Sequence, residues 1–169
     1  MKELKAREFA VEAHGKQMYG DKPYVFHLES VVNIAKNNNL NADVVIGCWL
    51  HDTIEDCNVS YQDVKKEFGQ SVAEIVYAVT DELGRNRKER KLKTYPKIKA
   101  IEDAVCVKLC DRIANLNQSI VDREEGLLSM YIKEHKVFKK ELFDTVQNDI
   151  TKSLWAKLEL LILKTEHTI

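Results

Sequence analysis

Along most of the chain, apolar residues recur at intervals of three and four, the period of amphipathic helices. Leu4 to about Met18 predicts a first helix with Phe9, Ala10 and Ala13 on its apolar side, and Gly15, Gly20, Asp21 and Pro23 mark the loop that follows. A second helix is predicted from about His27 to Ala35, closed by Asn37-Asn38-Asn39. A third starts at Asn41, an N-cap candidate, and runs to about Asp56. Ser60 opens a fourth that ends at Phe68-Gly69. Ser71, with Glu74 three residues on, reads as the capping box of a fifth that ends near Gly84. The segment from Arg85 to Lys99 is dense in lysine and arginine and reads as a solvated helical face. Ala104 to Cys110 could pass for a strand, but the apolar positions continue at helical spacing through Ile113, Leu116 and Ile120, which predicts a helix from Glu102 to Ile120. Two more helices are predicted, about Leu127–Asp144 and Asp149–Lys164. No repeat, linker or low-complexity tract interrupts the pattern. The expected fold is all-α: one compact multi-helix domain over residues 1–169.

Composition agrees with this and removes several functions. Only six Gly and two Pro occur in 169 residues, too few breakers for a sandwich, a barrel or a Gly-rich phosphate loop. Lys+Arg number 26 against 27 Asp+Glu, so the chain lacks the basic balance of a general nucleic-acid binder. No apolar run approaches the roughly 18 residues of a membrane span. The charged opening Met1-Lys2-Glu3-Leu4-Lys5 does not resemble a secretory leader. Cys48, Cys57, Cys106 and Cys110 show no C-x-x-C spacing, so reduced thiols and a cytoplasmic location are expected. Cys106 and Cys110 fall on the apolar sector and read as packing. No oligomer interface is readable in the chain.

The informative chemistry begins at Val44–Asp56. With His51 set at 0° and about 100° per residue, Glu55 falls near 40°, Asp52 near 100° and Asp56 near 140°. Val44, Cys48, Val45 and Trp49 occupy the same sector. The apolar face therefore runs directly into one imidazole and three carboxylates, where the helix dipole disfavours anions. A divalent cation would compensate them, and a helix end fraying into solvent would also tolerate them. A second stripe holds Lys108, Asp111 and Asn115 at i, i+3 and i+7 on an otherwise apolar helix. Asp111 there reads as a ligand or as the partner of Lys108 or Arg112. His27 follows Pro23-Tyr24-Val25-Phe26 at the start of a helix and reads as a ligand or a packed ring. His14 has the same two readings, and His135 and His167 look like surface residues.

Taken together, His27, His51-Asp52 and Asp111 resemble the H…HD…D signature of HD-domain phosphohydrolases. The strings Ala13-His14-Gly15-Lys16-Gln17, Pro23-Tyr24-Val25-Phe26-His27, His51-Asp52-Thr53-Ile54-Glu55-Asp56, Val79-Thr80-Asp81, Glu89-Arg90-Lys91 and Val107 to Leu116 occur in family order. They are similar to the hydrolase domain of RelA/SpoT-type proteins and to the small alarmone hydrolases, over residues 6–144 above all. The resemblance implies hydrolysis of ppGpp, with His27, His51, Asp52 and Asp111 as ligands of a divalent metal. Mn²⁺ comes first, with Fe²⁺ or Zn²⁺ as further candidates. It also implies catalytic roles for Glu55 and Asp56 and nucleotide contact by Asn115. Lys108 and Arg90, ahead of Arg87 and Lys91, are further candidates for the substrate's phosphates, Lys22 and Tyr19 for contacts near the nucleotide, and Tyr131 for stacking on the base. The expected partner is a small nucleotide, with no nucleic acid and no membrane. One departure stands out: Met18-Tyr19 occupies the place where long family members carry an Arg-Lys pair. Gln118 also stands where they tend to have Thr. A phosphohydrolase for another nucleotide and a non-catalytic nucleotide sensor are the competing readings.

Overall fold

A computed structural model describes residues 1–145 and 148–166 of the chain, so His167 lies outside the described residues. The described elements are α1 (Lys2–His14), β1 (Met18–Tyr19), β2 (Lys22–Pro23), α2 (Val25–Asn37), α3 (Ala42–Leu50), α4 (Thr53–Asp56), α5 (Tyr61–Phe68) and α6 (Gln70–Val79). They continue with α7 (Arg87–Lys99), α8 (Glu102–Val121), α9 (Glu125–Leu142), a 3-10 turn (Phe143–Thr145) and α10 (Asp149–Glu166). The fold is all-α apart from one short hairpin, and no described helix is long and apolar enough to cross a membrane.

Helix α8 is the spine. Residues Ala104 to Ala114 are all buried, because α2, α3, α6, α7, α9 and α10 pack around it. That enclosure explains the dense apolar run, which an exposed helix would not carry. Trp155 of α10 closes one end of the core, 5.4 Å from the rings of Phe138 and Phe143. Gly47 lets α3 approach α6 and α8: a Cβ there would lie 2.9 Å from Ile75 Cγ2 and 3.3 Å from Val107 Cγ2.

Local chemistry accounts for several helix starts. Asn41 Oδ1 accepts from the Val44 N–H at 2.9 Å, as its N-cap position predicts. Ser60 and Asp63 form a reciprocal capping box for α5.

Three predicted boundaries are corrected. The first helix stops at His14, and the chain turns at Gly15 (φ 54°) into the β1–β2 hairpin, with Met18 opposite Pro23 and Tyr19 opposite Lys22. The third helix does not run through to Asp56. It ends at Leu50, His51 and Asp52 form a turn, and α4 begins at Thr53. The hydroxyl of Thr53 donates to the Leu50 carbonyl (2.7 Å), satisfying an acceptor freed at the break. For the fifth helix, Gly69 (φ 99°) is the N-cap and Ser71 sits inside the first turn, so the S-x-x-E string is not a capping box. The helix ends at Val79 and leaves residues 80–86 as a loop.

Candidate metal and phosphate site

The site lies where α2, the α3–α4 turn and α8 meet. His27 sits in the first turn of α2, His51 and Asp52 in the turn, and Asp111 midway along α8. The ligand atoms of His27, His51 and Asp111 all lie within 4.8 Å of one another. Asp52 joins them: its Oδ2 is 2.9 Å from His51 Nε2 and 3.9 Å from His27 Nε2. Asp111 Oδ1 is 3.4 Å from His27 Nε2 and 3.7 Å from His51 Nε2.

The orientation of His51 indicates what this cluster can hold. Its Nδ1 lies 2.9 Å from the Cys48 carbonyl, which can only accept, so Nδ1 carries the hydrogen. Nε2, 2.9 Å from Asp52 Oδ2, either carries a second proton and pairs with that carboxylate or, in the neutral ring, presents a lone pair. A lone pair facing two carboxylates is a costly arrangement unless a cation lies between them. The backbone bond that fixes the tautomer is the arrangement expected of a metal-binding imidazole. Two imidazoles and two carboxylates suit a divalent ion of the Mn²⁺, Fe²⁺ or Zn²⁺ type. These residues fit a resident metal.

Charge around the group is finely divided. Burial alone would strip the proton from His51, but Asp52 and Asp111 outweigh it and hold its pKa well above the usual imidazole value. Burial would likewise raise both carboxyls. The His51 ring for Asp52, and the Lys108 ammonium for Asp111, hold them below the usual carboxylate range instead. The ion pair expected between Lys108 and Asp111 is present at 2.9 Å, and it engages Oδ2, leaving Oδ1 toward the histidines. The two readings of Asp111 are therefore compatible.

Supporting contacts hold these groups in place. Tyr24 donates to Asp52 Oδ2 at 2.5 Å, and its ring stacks on His14 at 4.3 Å. Tyr19 stacks on His27 at 4.7 Å and donates to Asn115 Oδ1 at 2.8 Å. Asn115 in turn donates to Asp111 Oδ1. Glu55 accepts from the Asp81 N–H at 2.9 Å, and Asp56 accepts from Gln17 Nε2 at 3.0 Å. Gln17 is itself held by His14 Nδ1 at 2.8 Å. Both acids are exposed on the open side of the site, yet neither hangs free as a frayed helix end would leave it. Desolvation of the Glu55 carboxyl raises its pKa, and the Asp81 N–H only partly offsets this.

A cavity of about 210 Å³ opens over the cluster. Tyr19, Tyr24, His27, Asp52, Glu55, Asp56, Asp111, Asn115 and Tyr131 line it, with four cations: Arg87, Lys91, Lys108 and Arg112. His51 lies buried behind this lining. Arg90 and Lys22 do not belong to it. Arg90 packs against Gly84, where a Cβ would come within 3.0 Å of its Cγ. Lys22 Nζ lies 4.2 Å above the Phe26 ring. On α7 the residues that face the cavity are Arg87 and Lys91, four apart and so on one helical face, with Arg90 between them in sequence. Glu134 of α9 holds Arg87 (2.6 Å) and Arg112 (3.0 Å), and Arg112 lies 4.7 Å over the Tyr131 ring. Lys91 is paired with Asp81 at 2.9 Å, and its burial, with Lys108 nearby, pushes its pKa down to about 8.

Sequence reasoning did not find Tyr24, Gln17 or Arg112 as site residues. Tyr24 and Gln17 sit inside the two quoted strings that precede His27, so their place beside an expected ligand was the available signal. For Arg112, adjacency to Asp111 was the only signal.

A family model described as "HD domain" matches residues 6–138. The guanosine-3′,5′-bis(diphosphate) 3′-pyrophosphohydrolase of Aquifex aeolicus is 34% identical over 127 residues, 72% of this chain but only 18% of that protein. The guanosine-3′,5′-bis(diphosphate) 3′-pyrophosphohydrolases MESH1 of Xenopus tropicalis (31% over 145 residues) and Drosophila melanogaster (30% over 150 residues) match more of their own length. The match covers 82% and 85% of this chain, and 81% and 84% of those proteins. A solved structure described as "A metazoan ortholog of SpoT hydrolyzes ppGpp and plays a role in starvation responses" is similar with a TM-score of 0.76 and 26% identity, over 96% of this chain and 94% of that one.

Proposed function

The chain belongs to the HD-domain family, and we propose that it is a metal-dependent (p)ppGpp 3′-pyrophosphohydrolase acting in the stringent response. It would release pyrophosphate and leave GDP or GTP. The whole chain acts as one HD unit in this reading, with Mn²⁺ as the resident ion and the cytoplasm as its location. All four cysteines are free, which supports a reducing compartment. The observation that carries the proposal is the convergence of His27, His51, Asp52 and Asp111 on one point beneath a wall of four cations. Relatives with this printed activity align over more than four-fifths of the chain.

His27, His51, Asp52 and Asp111 would hold the ion, which when bound supplies Lewis acidity and lowers the pKa of a bound water. The rest is done by the chain. Arg87, Lys91, Lys108 and Arg112 hold the diphosphate oxygens and spread the charge that develops there. Asn115 and Tyr19 border the nucleotide, and Tyr131 offers a ring to the base. Glu55, whose raised pKa suits proton transfer, takes a proton from the attacking water, and Asp56 orients it through the bond from Gln17. Oxygen attacks the phosphorus next to the 3′ position, the bond to the 3′ oxygen breaks, and that oxygen leaves with a proton. Hydrolysis of another nucleotide's phosphate ester is the second reading. It rests on Tyr19 and the exposed Met18 standing where long family members carry cations.

Glu55→Gln tests the division of labour. It should retain bound Mn²⁺ while kcat falls by roughly 10²–10⁴, the usual weight of a general base. Loss of metal together with turnover would assign Glu55 to the metal site instead.

The pH profile tests Lys91. With its pKa pushed down to about 8, the ammonium is present below that pH and lost above it. The ratio kcat/KM reports the free enzyme, so it should fall as pH rises through about 8. Lys91→Met should lose roughly 10- to 100-fold in kcat/KM near pH 7, the weight of a charge-assisted bond, and lose that alkaline limb as well. An unchanged limb would assign the titration to another group.

A further inference from the structure

A second cavity, of about 270 Å³, lies behind the cation wall in the seam between α7 and α9. We propose that it is a binding site for a small amphipathic anion, coupled to the front pocket through the wall they share. The assignment of the front pocket to phosphate underlies the coupling, whereas the binding site stands without it.

Two observations carry it. The floor is apolar: Leu92 and Val137 line it while 45% and 37% exposed, with Tyr95 beneath them. Tyr95 is only 2% exposed. The rim is cationic. Lys88 and Lys133 stand exposed at its edge, and neither has a hydrogen bond or ion pair among the described residues. The acid on the lining, Glu134, is already engaged by Arg87 and Arg112. Net charge at the mouth is therefore positive over an apolar bed, which fits an aromatic or aliphatic body carrying a sulfonate, carboxylate or phosphate.

The coupling is built into the wall. Lys91 lines both cavities, and Glu134 lines the rear one while holding two of the front pocket's arginines. A ligand in the rear cavity alters the solvation of both residues, and through them the field that meets phosphate in front.

The probe is 8-anilinonaphthalene-1-sulfonate, an apolar anion that fluoresces when it leaves water, and pyrophosphate serves as the front-pocket ligand, both with the Mn²⁺-loaded protein. The expected result is saturable one-to-one binding of the probe. Val137→Trp, which fills the cavity, should abolish it, and the double variant Lys88→Ala/Lys133→Ala should weaken it roughly tenfold. Saturating probe should shift pyrophosphate affinity at least about threefold without full displacement of either ligand. The double variant changes only exposed side chains, so it carries the test if Val137→Trp fails to fold. Absence of saturable binding, binding unchanged in the variants, complete displacement by pyrophosphate, or pyrophosphate affinity indifferent to the probe would each overturn the proposal.

Discussion

Asp52→Ala should abolish metal retention and turnover together. Asp52 Oδ2 stands between the two imidazoles, 2.9 Å from His51 Nε2 and 3.9 Å from His27 Nε2. Removing it takes away one of the two anions that make this point attractive to a divalent cation, and it leaves Tyr24 without the acceptor for its hydroxyl. The loss in kcat/KM should be at least about 10³-fold, since both water activation and charge neutralisation depend on the ion. The apo protein should remain folded, because Asp52 sits in the α3–α4 turn on the cavity lining and outside the apolar core. The wild type should gain thermal stability when Mn²⁺ is added, by linkage to binding, and Asp52→Ala should not. Metal content after gel filtration and melting curves with and without Mn²⁺ check this. Full turnover in Asp52→Ala would remove Asp52 from the site.

Gly47→Val should be the most damaging single change away from the site. A Cβ at Gly47 meets Ile75 Cγ2 at 2.9 Å and Val107 Cγ2 at 3.3 Å, and the two further methyls of valine have no room to avoid α6 and α8. A helical glycine replaced by a side chain ordinarily gains up to about 1 kcal/mol of helix propensity, less for a β-branched residue. Overpacking costs about 1–3 kcal/mol and here exceeds that gain, so a net loss of about 2 kcal/mol is expected. For a domain of this size the melting temperature should fall by roughly 4–8 °C. The strain also reaches the site, because α3 leads into the His51–Asp52 turn and α8 carries Asp111. Mn²⁺ affinity should therefore fall although no ligand is altered. A melting temperature equal to wild type would show that α3 can move away at no cost.

Periodicity was enough to place the main helices, because each buries one continuous stripe against α8 or its neighbours. It could not show the break at His51–Asp52. Both residues keep right-handed helical dihedrals, so the apolar and acidic pattern runs on across a turn in which the ladder of hydrogen bonds is lost. The β1–β2 hairpin was hidden because two residues per strand offer no alternation to read. Ser71-x-x-Glu74 imitates a cap, but Gly69 takes the N-cap position through a positive φ that only glycine adopts without strain. The four proposed ligands came from the resemblance, since a polar residue on a buried face left each of them a second reading. Arg90 was chosen over Arg87 and Lys91 because a basic helix does not reveal which face it turns inward. That choice is made by Glu134 on α9 and Asp81 on the loop after α6, both remote in sequence.

The most direct test of the central claim is product analysis with Mn²⁺-loaded protein. It would be offered ppGpp beside nucleoside mono-, di- and triphosphates, with pyrophosphate and phosphate measured separately. Pyrophosphate and GDP from ppGpp, with the other nucleotides left intact, is the predicted result. Phosphate from another nucleotide, with ppGpp untouched, would contradict it.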